Sequence, residues 1–511
     1  MKISGCVAWI AALAVGWSSL SCGSGAGSGS SGVVSQPPAT ATVVVNTNTS
    51  VVTPFSGFGV EWDPYDYPPT GADWQMTLNN LSYMQPAFVR MMSMATDYCL
   101  GFDQNGNPIY VWSQGAAVAQ QYLWQEFRML DYAQANNIDV ILGEWAWPSG
   151  LPTPGQNPIS GPDDPRWARI ASDYINYLVN TKGYTVVKAY NFMNEPNGTW
   201  MWPSGETPSF SLWSTGIANL RAALNALGLN GVSVIGPDNA CFGSLQSDGG
   251  DWSWLSQAAQ NLPNDIGLWD SHWYAWAADV QADVVEQTLS SEAAMLLATD
   301  PNASGKKRLL GEAGMLDGKT SSDQNPNVLT FPYGVWMADL GAQVGRGAWT
   351  GASAWDLDDA MHSNGTSLKM WGFWNTYDAP GDPRATSPRP WFYTWSLLAR
   401  LIPRGAAIVS TQGGETLVGF RSTAATWTSS SQANATIMLV NNSSAPQAIT
   451  VRAPSLGSQN LVEYNYFAAD APQDSNGYPT PEKTIANADL NSGVLVNLPS
   501  QGVVFLTTFK N

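Results

Sequence analysis

Between Phe55 and about Pro403 the chain alternates short apolar runs with longer segments of helical period, and the number of those runs constrains the fold more than any other feature. Eight runs can be counted, at 57–62, 88–93, 139–145, 187–194, 232–237, 266–273, 308–312 and 347–355. A short, continuously apolar run suits a strand covered on both faces, as the strands of a parallel sheet are. The segments between them, among others 116–136, 167–181, 212–227, 280–299 and 391–401, are long enough for the crossover helices that parallel strands require. Eight strand–helix units predict an α/β fold, a closed (β/α)8 TIM barrel.

The flanks follow other patterns. Past Arg404 the helical period disappears, and 416–421, 435–441, 448–452, 461–466, 493–498 and 502–507 read as strands with turn-rich spacers, the pattern of a small β-sandwich. The Thr/Val-rich stretch 41–52 precedes the barrel and has no helix to pair with, so it is expected to add one or two N-terminal strands to that sandwich. Upstream, Lys2, the apolar run 7–17 and small residues up to Cys22 read as a secretory signal peptide, too short for a spanning helix. Cys22 stands where bacterial lipoproteins carry an acylated cysteine, and the Gly/Ser tract 23–32 suits a tether. Ser19, however, holds the place where a lipobox has Leu, so a lipid anchor at Cys22 and ordinary signal-peptidase cleavage both stay open. The expected organisation is a signal peptide at 1–22, a Gly/Ser/Pro-rich linker at 23–40, side-domain strands at 41–54, the barrel at 55–403 and the sandwich at 404–511. Such a protein is secreted or held at the cell envelope.

Composition narrows the partners. The formal net charge is −18, which disfavours nucleic acid and anionic membranes, since both reward Lys and Arg. Only 12% of the residues are charged while 25 are Trp, which implies a neutral-polar, aromatic surface. A neutral carbohydrate suits it, because the C–H faces of a sugar stack on indole and its hydroxyls take polar partners. Beyond the leader only Cys99 and Cys241 remain, without a CxxC pair, and whether they bond to each other is open. His272 and His362 are the only imidazoles and fall on different strands, so no metal centre and no cofactor are predicted.

In a barrel of this kind functional side chains project from the C-terminal ends of the strands. The fourth run ends in Asn194-Glu195-Pro196 and the seventh in Gly311-Glu312-Ala313-Gly314. Strands four and seven face each other across the barrel mouth, and two carboxyls facing one bond, roughly 5 to 5.5 Å apart, are what retaining glycoside hydrolysis needs. Glu195 would protonate the departing oxygen while Glu312 attacks the anomeric carbon. Esterification then removes the charge of Glu312 and lets Glu195 act as base for water.

On these residues, and over roughly 55–403, the chain resembles the clan A glycoside hydrolases, the group that includes families 5, 30 and 39. The resemblance implies a retaining mechanism with Glu195 as acid/base and Glu312 as nucleophile, and a contact of Asn194 with the sugar 2-hydroxyl. It implies that Arg90, at the end of the second run, stands beside the nucleophile and keeps it ionised. His272 and Tyr274, at the end of the sixth, match contacts to sugar and nucleophile, and strand alternation leaves open which of them faces the mouth. Trp355, ending the eighth run, resembles a platform beneath the sugar, and Trp145 with Trp147 resembles the Trp-rich segment of family 30. Glu61 and Glu144 read either as ligands of hydroxyls or as partners of Arg. Trp62, Trp200, Trp202, Trp276, Trp371 and Trp374 fall in long loops, where some of them must line a cleft.

The expected function is hydrolysis of a β-linked polysaccharide or oligosaccharide, with β-glucan first and xylan, mannan or galactan next. Two other readings stand beside it. A non-catalytic carbohydrate-binding lipoprotein explains the tryptophans but gives no reason for both glutamates, and a transglycosylase would use the same pair while excluding water.

Overall fold

The computed structural model describes residues 39–113, 121–203, 205–242, 251–364 and 367–509. The expected signal peptide with Cys22, nearly all of the linker and the start of the segment 116–136 lie outside the described residues. Apart from two short two-stranded hairpins, the strands described before the last helix are β1 Ala41–Val52, β2 Gly57–Glu61, β3 Phe88–Ser93, β4 Asp139–Glu144, β5 Val187–Asn191, β6 Ser233–Phe242, β7 Leu268–Ala275, β8 Lys307–Met315 and β9 Gly351–Ala354. Strands β2 to β9 pair in parallel in chain order and β9 closes on β2, giving an eight-stranded barrel. Each of the eight apolar runs overlaps one barrel strand.

The barrel interior has two layers, because alternate side chains of a strand share a face. Phe88, Ile141, Ala189, Ile235, Leu268 and Leu309, from six strands, form an apolar plug. Two residues further along three of these strands the interior becomes polar, with Arg90, Asn191 and Asp270 all buried. Outward-facing Val89, Val140, Leu142, Tyr190, Trp269 and Trp273 pack instead into the main core with the helices. Room for the polar layer depends on Gly311, where a Cβ would stand 2.3 Å from Asp270 Oδ2.

The helices form for local reasons. Pro165–Asn176 starts with Asp164 accepting from the Arg166 backbone N–H and with Pro at its first turn, and it buries Trp167, Ala168, Ile170, Ala171, Tyr174 and Ile175 along one side. The segment expected as one helix at 280–299 is two, Ala277–Gln281 and Val284–Thr299, broken where Asp283 takes φ 66. Helices Gly71–Met84, Ser253–Asn261 and Phe331–Arg346 complete crossovers beyond those singled out from periodicity.

After the helix Pro390–Leu401 come β10 Ala407–Gln412, β11 Phe420–Ser429, β12 Gln432–Asn441, β13 Gln447–Arg452, β14 Ser458–Tyr466, β15 Lys483–Asp489, β16 Val494–Leu498 and β17 Gly502–Thr507. They form one sheet with β1, in the order β15-β14-β17-β12-β11-β10-β1-β13-β16. Leu461 and Ala488 near one end of that order share a core with Ile449 and Val496 at the other, so the sheet folds over itself as a sandwich. As expected, β1 belongs to it, antiparallel to β10 and parallel to β13. The strand expected at 416–421 begins only at Phe420, as β11, and 416–419 is a turn, in which Leu417 N–H donates to Gly414 O and Phe420 N–H to Leu417 O. Gly413, Gly414 and Gly419, all at positive φ, set that turn, and β10 and β15 lie where no strand was expected.

Barrel and sandwich meet at the helices Phe331–Arg346 and Pro390–Leu401. Ile408, Met438, Val440, Tyr466 and Phe505 of the sheet join the barrel's own core there. Asp339, buried on the first helix, accepts from Asn442 Nδ2 at 3.0 Å and faces Arg421. Among the described residues no helix is long and apolar enough to cross a membrane, and Cys99 and Cys241 are separate buried thiols.

The placement of β1 has a direct test. Val43 has no exposed surface while its neighbour Val44 is 37% exposed. Removing two methyl groups from the sandwich core should make Val43→Ala less stable by about 2 kcal/mol, against roughly 0.5 or less for Val44→Ala, measured by denaturant unfolding. Equal effects would contradict the strand's register.

Candidate active site

At the C-terminal ends of the barrel strands a cavity of about 570 Å³ is lined by Trp145, Asn194, Glu195, Tyr274, Glu312 and Trp355, with Trp200 and Trp371. Arg90 and His272 lie beneath its floor with no exposed surface. The eight residues singled out from the sequence thus meet at one place. His272 and Tyr274 both face inward, since positions two apart on β7 share a face with Asp270 and Leu268 below them.

Arg90 is the hub. Its Nη1 donates to Glu61 Oε1 at 2.8 Å and to Glu312 Oε1 at 2.9 Å, and its Nη2 donates to Asn194 Oδ1 at 2.7 Å and to Asp238 Oδ2 at 3.0 Å. Asp238 also accepts from Asn191 Nδ2 and pairs through Oδ1 with His272 Nε2 at 3.0 Å. The other imidazole nitrogen, Nδ1, lies 3.0 Å from Glu195 Oε1 and 3.5 Å from Glu312 Oε1. Tyr274 donates to Glu312 Oε2 at 2.6 Å. Oxygens of Glu195 and Glu312 accordingly lie within 4.8 Å of each other and of the imidazole.

The charges sort themselves by burial and proximity. Burial alone would pull the His272 pKa down, but Asp238 and Glu312 outweigh it and hold the ring well above its ordinary value, protonated on both nitrogens. Burial likewise works against Asp238, yet Arg90 and His272 keep it below the usual carboxylate range. Asp270 goes the other way: burial and then the charge of Asp238 push it well up, favouring its neutral form. Glu61 is also raised, by burial first, against the pull of Arg90. Two cations, Arg90 and His272, therefore face two carboxylates, Asp238 and Glu312. For Glu312 burial outweighs the pull of His272 and Arg90, and Glu195 adds to it, so its pKa stands above the ordinary glutamate value.

Backbone geometry aims the carboxyls. Glu195 and Asp238 take φ 41 and φ 58, left-handed conformations that cost a non-glycine residue roughly 1–2 kcal/mol each. Asn194 N–H donates to Glu144 O at 2.9 Å, tying the turn after β5 to β4. Above the carboxylates, Trp355 stacks on His362 at 4.7 Å and meets Trp145 edge-on at 6.1 Å. Of the loop tryptophans, Trp200 and Trp371 reach the cavity, Trp276 packs beside Trp355 and Trp371, and Trp62, Trp202 and Trp374 are buried. Glu61 is a partner of Arg90. Glu144 faces outward from the barrel, where Trp167, Tyr98 and Tyr190 donate to it, and it is no partner of Arg.

Asp238 and Asp270 were not foreseen. Asp238 directly follows Pro237, at which the fifth run was ended, whereas β6 continues through a register shift to Phe242. Asp270 sits inside the sixth run, and a lone Asp in an apolar strand is the signal that could have found it. Among the described residues two groups of donor atoms are close enough to hold a cation, Glu195 with His272 and Glu312, and Asp238 with Asp270 and His272. Both share His272, whose two nitrogens already face carboxylates as N–H donors, and Arg90 occupies an oxygen of both Glu312 and Asp238. Positive charge in this site is thus supplied by side chains.

No protein-family model matches the chain, and no curated protein matches it in sequence. Solved structures do match its fold. An arabinofuranosidase superposes with a TM-score of 0.62 at 13% identity, over 92% of this chain and 100% of the other. The α-L-arabinofuranosidase of Thermotoga maritima gives 0.61 at 12% identity, over 92% and 99%. A GH30 endoxylanase from Clostridium papyrosolvens gives 0.58 at 13% identity, over 92% and 100%. The chain therefore has the clan A glycoside hydrolase-like fold, a TIM barrel carrying a β-sandwich side domain.

Proposed function

We propose that the protein is a retaining glycoside hydrolase in which Glu312 is the nucleophile and Glu195 the general acid/base. The observation that carries this reading is a pair of carboxylates with oxygens within 4.8 Å of each other, both facing Nδ1 of one imidazole and one of them gripped by Arg90 and Tyr274. That spacing suits direct attack on the sugar, whereas an inverting pair stands roughly 6.5–9.5 Å apart to admit water. Arg90 and Tyr274 hold Glu312 by both oxygens, which fixes its direction of attack. Asn194, held by Arg90 through its carbonyl oxygen, keeps its amide N–H groups for a sugar hydroxyl. Trp355 and Trp145 offer apolar faces to the ring.

The xylanase and arabinofuranosidase activities named for proteins of the same fold support the reaction class. For the substrate we take a neutral β-linked glycan, β-glucan first and xylan, mannan or galactan next, on the strength of the aromatic cavity and the acidic chain. The barrel at 55–403 carries the chemistry, the sandwich at 404–511 supports it, and the leader at 1–22 places it outside the cytoplasm, secreted or at the cell envelope. A purely binding protein would have no use for three buried charged groups, Arg90, His272 and Asp238, organised around two carboxylates, which cost folding free energy.

Screening the purified protein against β-glucan, xylan, mannan and galactan should show release of sugar from at least one. Glu312→Gly should abolish turnover of an aryl β-glycoside, and azide or formate should restore part of it; no restoration would remove Glu312 from the role of nucleophile.

Tyr274→Phe removes a hydrogen bond that favours the ionised form of Glu312. Since Glu312 must be ionised to attack, the rate falls as pH drops through its raised pKa, and this acidic limb should move to still higher pH in the variant. The rate at the optimum should fall about ten-fold, the worth of one hydrogen bond to a charged group. An unmoved limb in the kcat/KM profile would contradict the assignment.

A further inference from the structure

Both oxygens of Glu195 are occupied by donors, Oε1 by His272 Nδ1 at 3.0 Å and Oε2 by Trp200 Nε1 at 2.8 Å. Two donors suit a carboxylate. An acid must instead carry its proton on the oxygen that faces the cleft and present it to the glycosidic oxygen. One donor therefore has to withdraw when substrate binds. His272 is fully buried, and its second nitrogen is held by Asp238. Trp200 is 54% exposed and rides on a single 3-10 turn, Thr199–Met201.

The local sequence is built to place this indole. Gly198 N–H donates to Glu195 O at 2.8 Å and turns the chain back over the carboxyl. The indole then lies flat on Gly198, where a Cβ would stand 2.2 Å from Trp200 Cε2. The loop is anchored separately, because buried Trp202 donates to Pro196 O at 2.8 Å and meets Trp147 edge-on at 5.0 Å. A tryptophan more than half exposed beside such an anchor is not needed by the core. Its position is informative too: whatever touches Oε2 from the cleft side stands where the departing oxygen and its sugar must arrive.

We infer that Trp200 is a latch on Glu195 and the platform of a leaving-group subsite for an uncharged sugar ring. This rests on the hydrolase reading above. The sugar on the leaving side displaces the indole N–H from Oε2 and takes up its ring face. Oε2 then takes up a proton from solvent hydronium, to be given back to solvent when the cycle closes and the indole returns, and passes it to the glycosidic oxygen as the bond from that oxygen to the anomeric carbon breaks and the bond to Glu312 forms. In the second half it takes the proton of the attacking water, whose oxygen replaces Glu312 on the anomeric carbon.

The test compares Trp200→Ala and Trp200→Phe with the wild type on two substrates of the same glycone, a β-linked oligosaccharide and a nitrophenyl β-glycoside. The nitrophenolate leaves without protonation and brings no sugar ring to the subsite. The ratio of kcat/KM for oligosaccharide over aryl glycoside should fall about ten-fold or more in the Ala variant. The Phe variant, which keeps an aromatic face, should recover the ratio to within about three-fold of the wild type. Equal losses on both substrates, or a Phe variant as impaired as Ala, would overturn the subsite and leave Trp200 a loop support. Wild-type protein inert on both substrates would overturn the hydrolase reading itself, and the latch with it.

Discussion

A guanidinium with no exposed surface is tolerable only if its charge is met at once, and the site of this protein is organised around meeting that of Arg90. Asp238 does most of it, and it does the same for His272, so that two buried cations hang on one carboxylate. What they have left over is directed upward: Arg90 to Glu312 and Asn194, His272 to Glu195 and Glu312. The carboxylates at the cavity floor are therefore positioned from below by fully buried, hydrogen-bonded groups, while the groups above them are loop aromatics. Removing one partner of such a buried set costs about 3–5 kcal/mol, so the network serves stability and chemistry together.

The barrel makes this arrangement affordable in space as well as in charge. An apolar plug closes one end, and the next inward positions of the same strands hold the polar layer, so the step from Phe88 to Arg90, or from Leu268 through Asp270 and His272 to Tyr274, runs from core to cavity along a single strand face. Crowding then sets protonation. Asp270 and Glu61 share the layer with ionised neighbours, and burial pushes both toward the neutral form. Left-handed backbone at Glu195 and Asp238 marks where the chain accepts strain to aim these groups.

Much of this was legible in the sequence, for physical reasons that also mark the limits. Strands covered on both faces must be continuously apolar, so all eight barrel strands stand out, and polar residues at their ends become conspicuous: Arg90, Asn194, Glu195, His272, Tyr274, Glu312 and Trp355 were found that way. Asp238 was missed because Pro237 looks like the end of a strand, while β6 passes it through an irregular register. Asp270 gives no such strand-end signal, because it lies one layer below the strand end. The alternation that seemed to separate His272 from Tyr274 in fact places both inward. In the side domain, where strands are half exposed and turns carry the pattern, 416–421 looked like a strand because Leu417, Val418 and Phe420 are apolar, whereas the flanking glycines bend it. Trp200 was one of six loop tryptophans, and nothing in the sequence distinguishes the one that reaches Glu195.

In the proposed reaction Glu312 attacks the anomeric carbon directly, because the network holds one of its oxygens within 4.8 Å of one on Glu195, closer than the roughly 6.5–9.5 Å of an inverting pair. Proton NMR of the first sugar released from whichever β-glycan is turned over reads this outcome before mutarotation obscures it. The expected product is the β-anomer, from two successive displacements; initial release of the α-anomer would mean a single displacement by water and would contradict attack by Glu312.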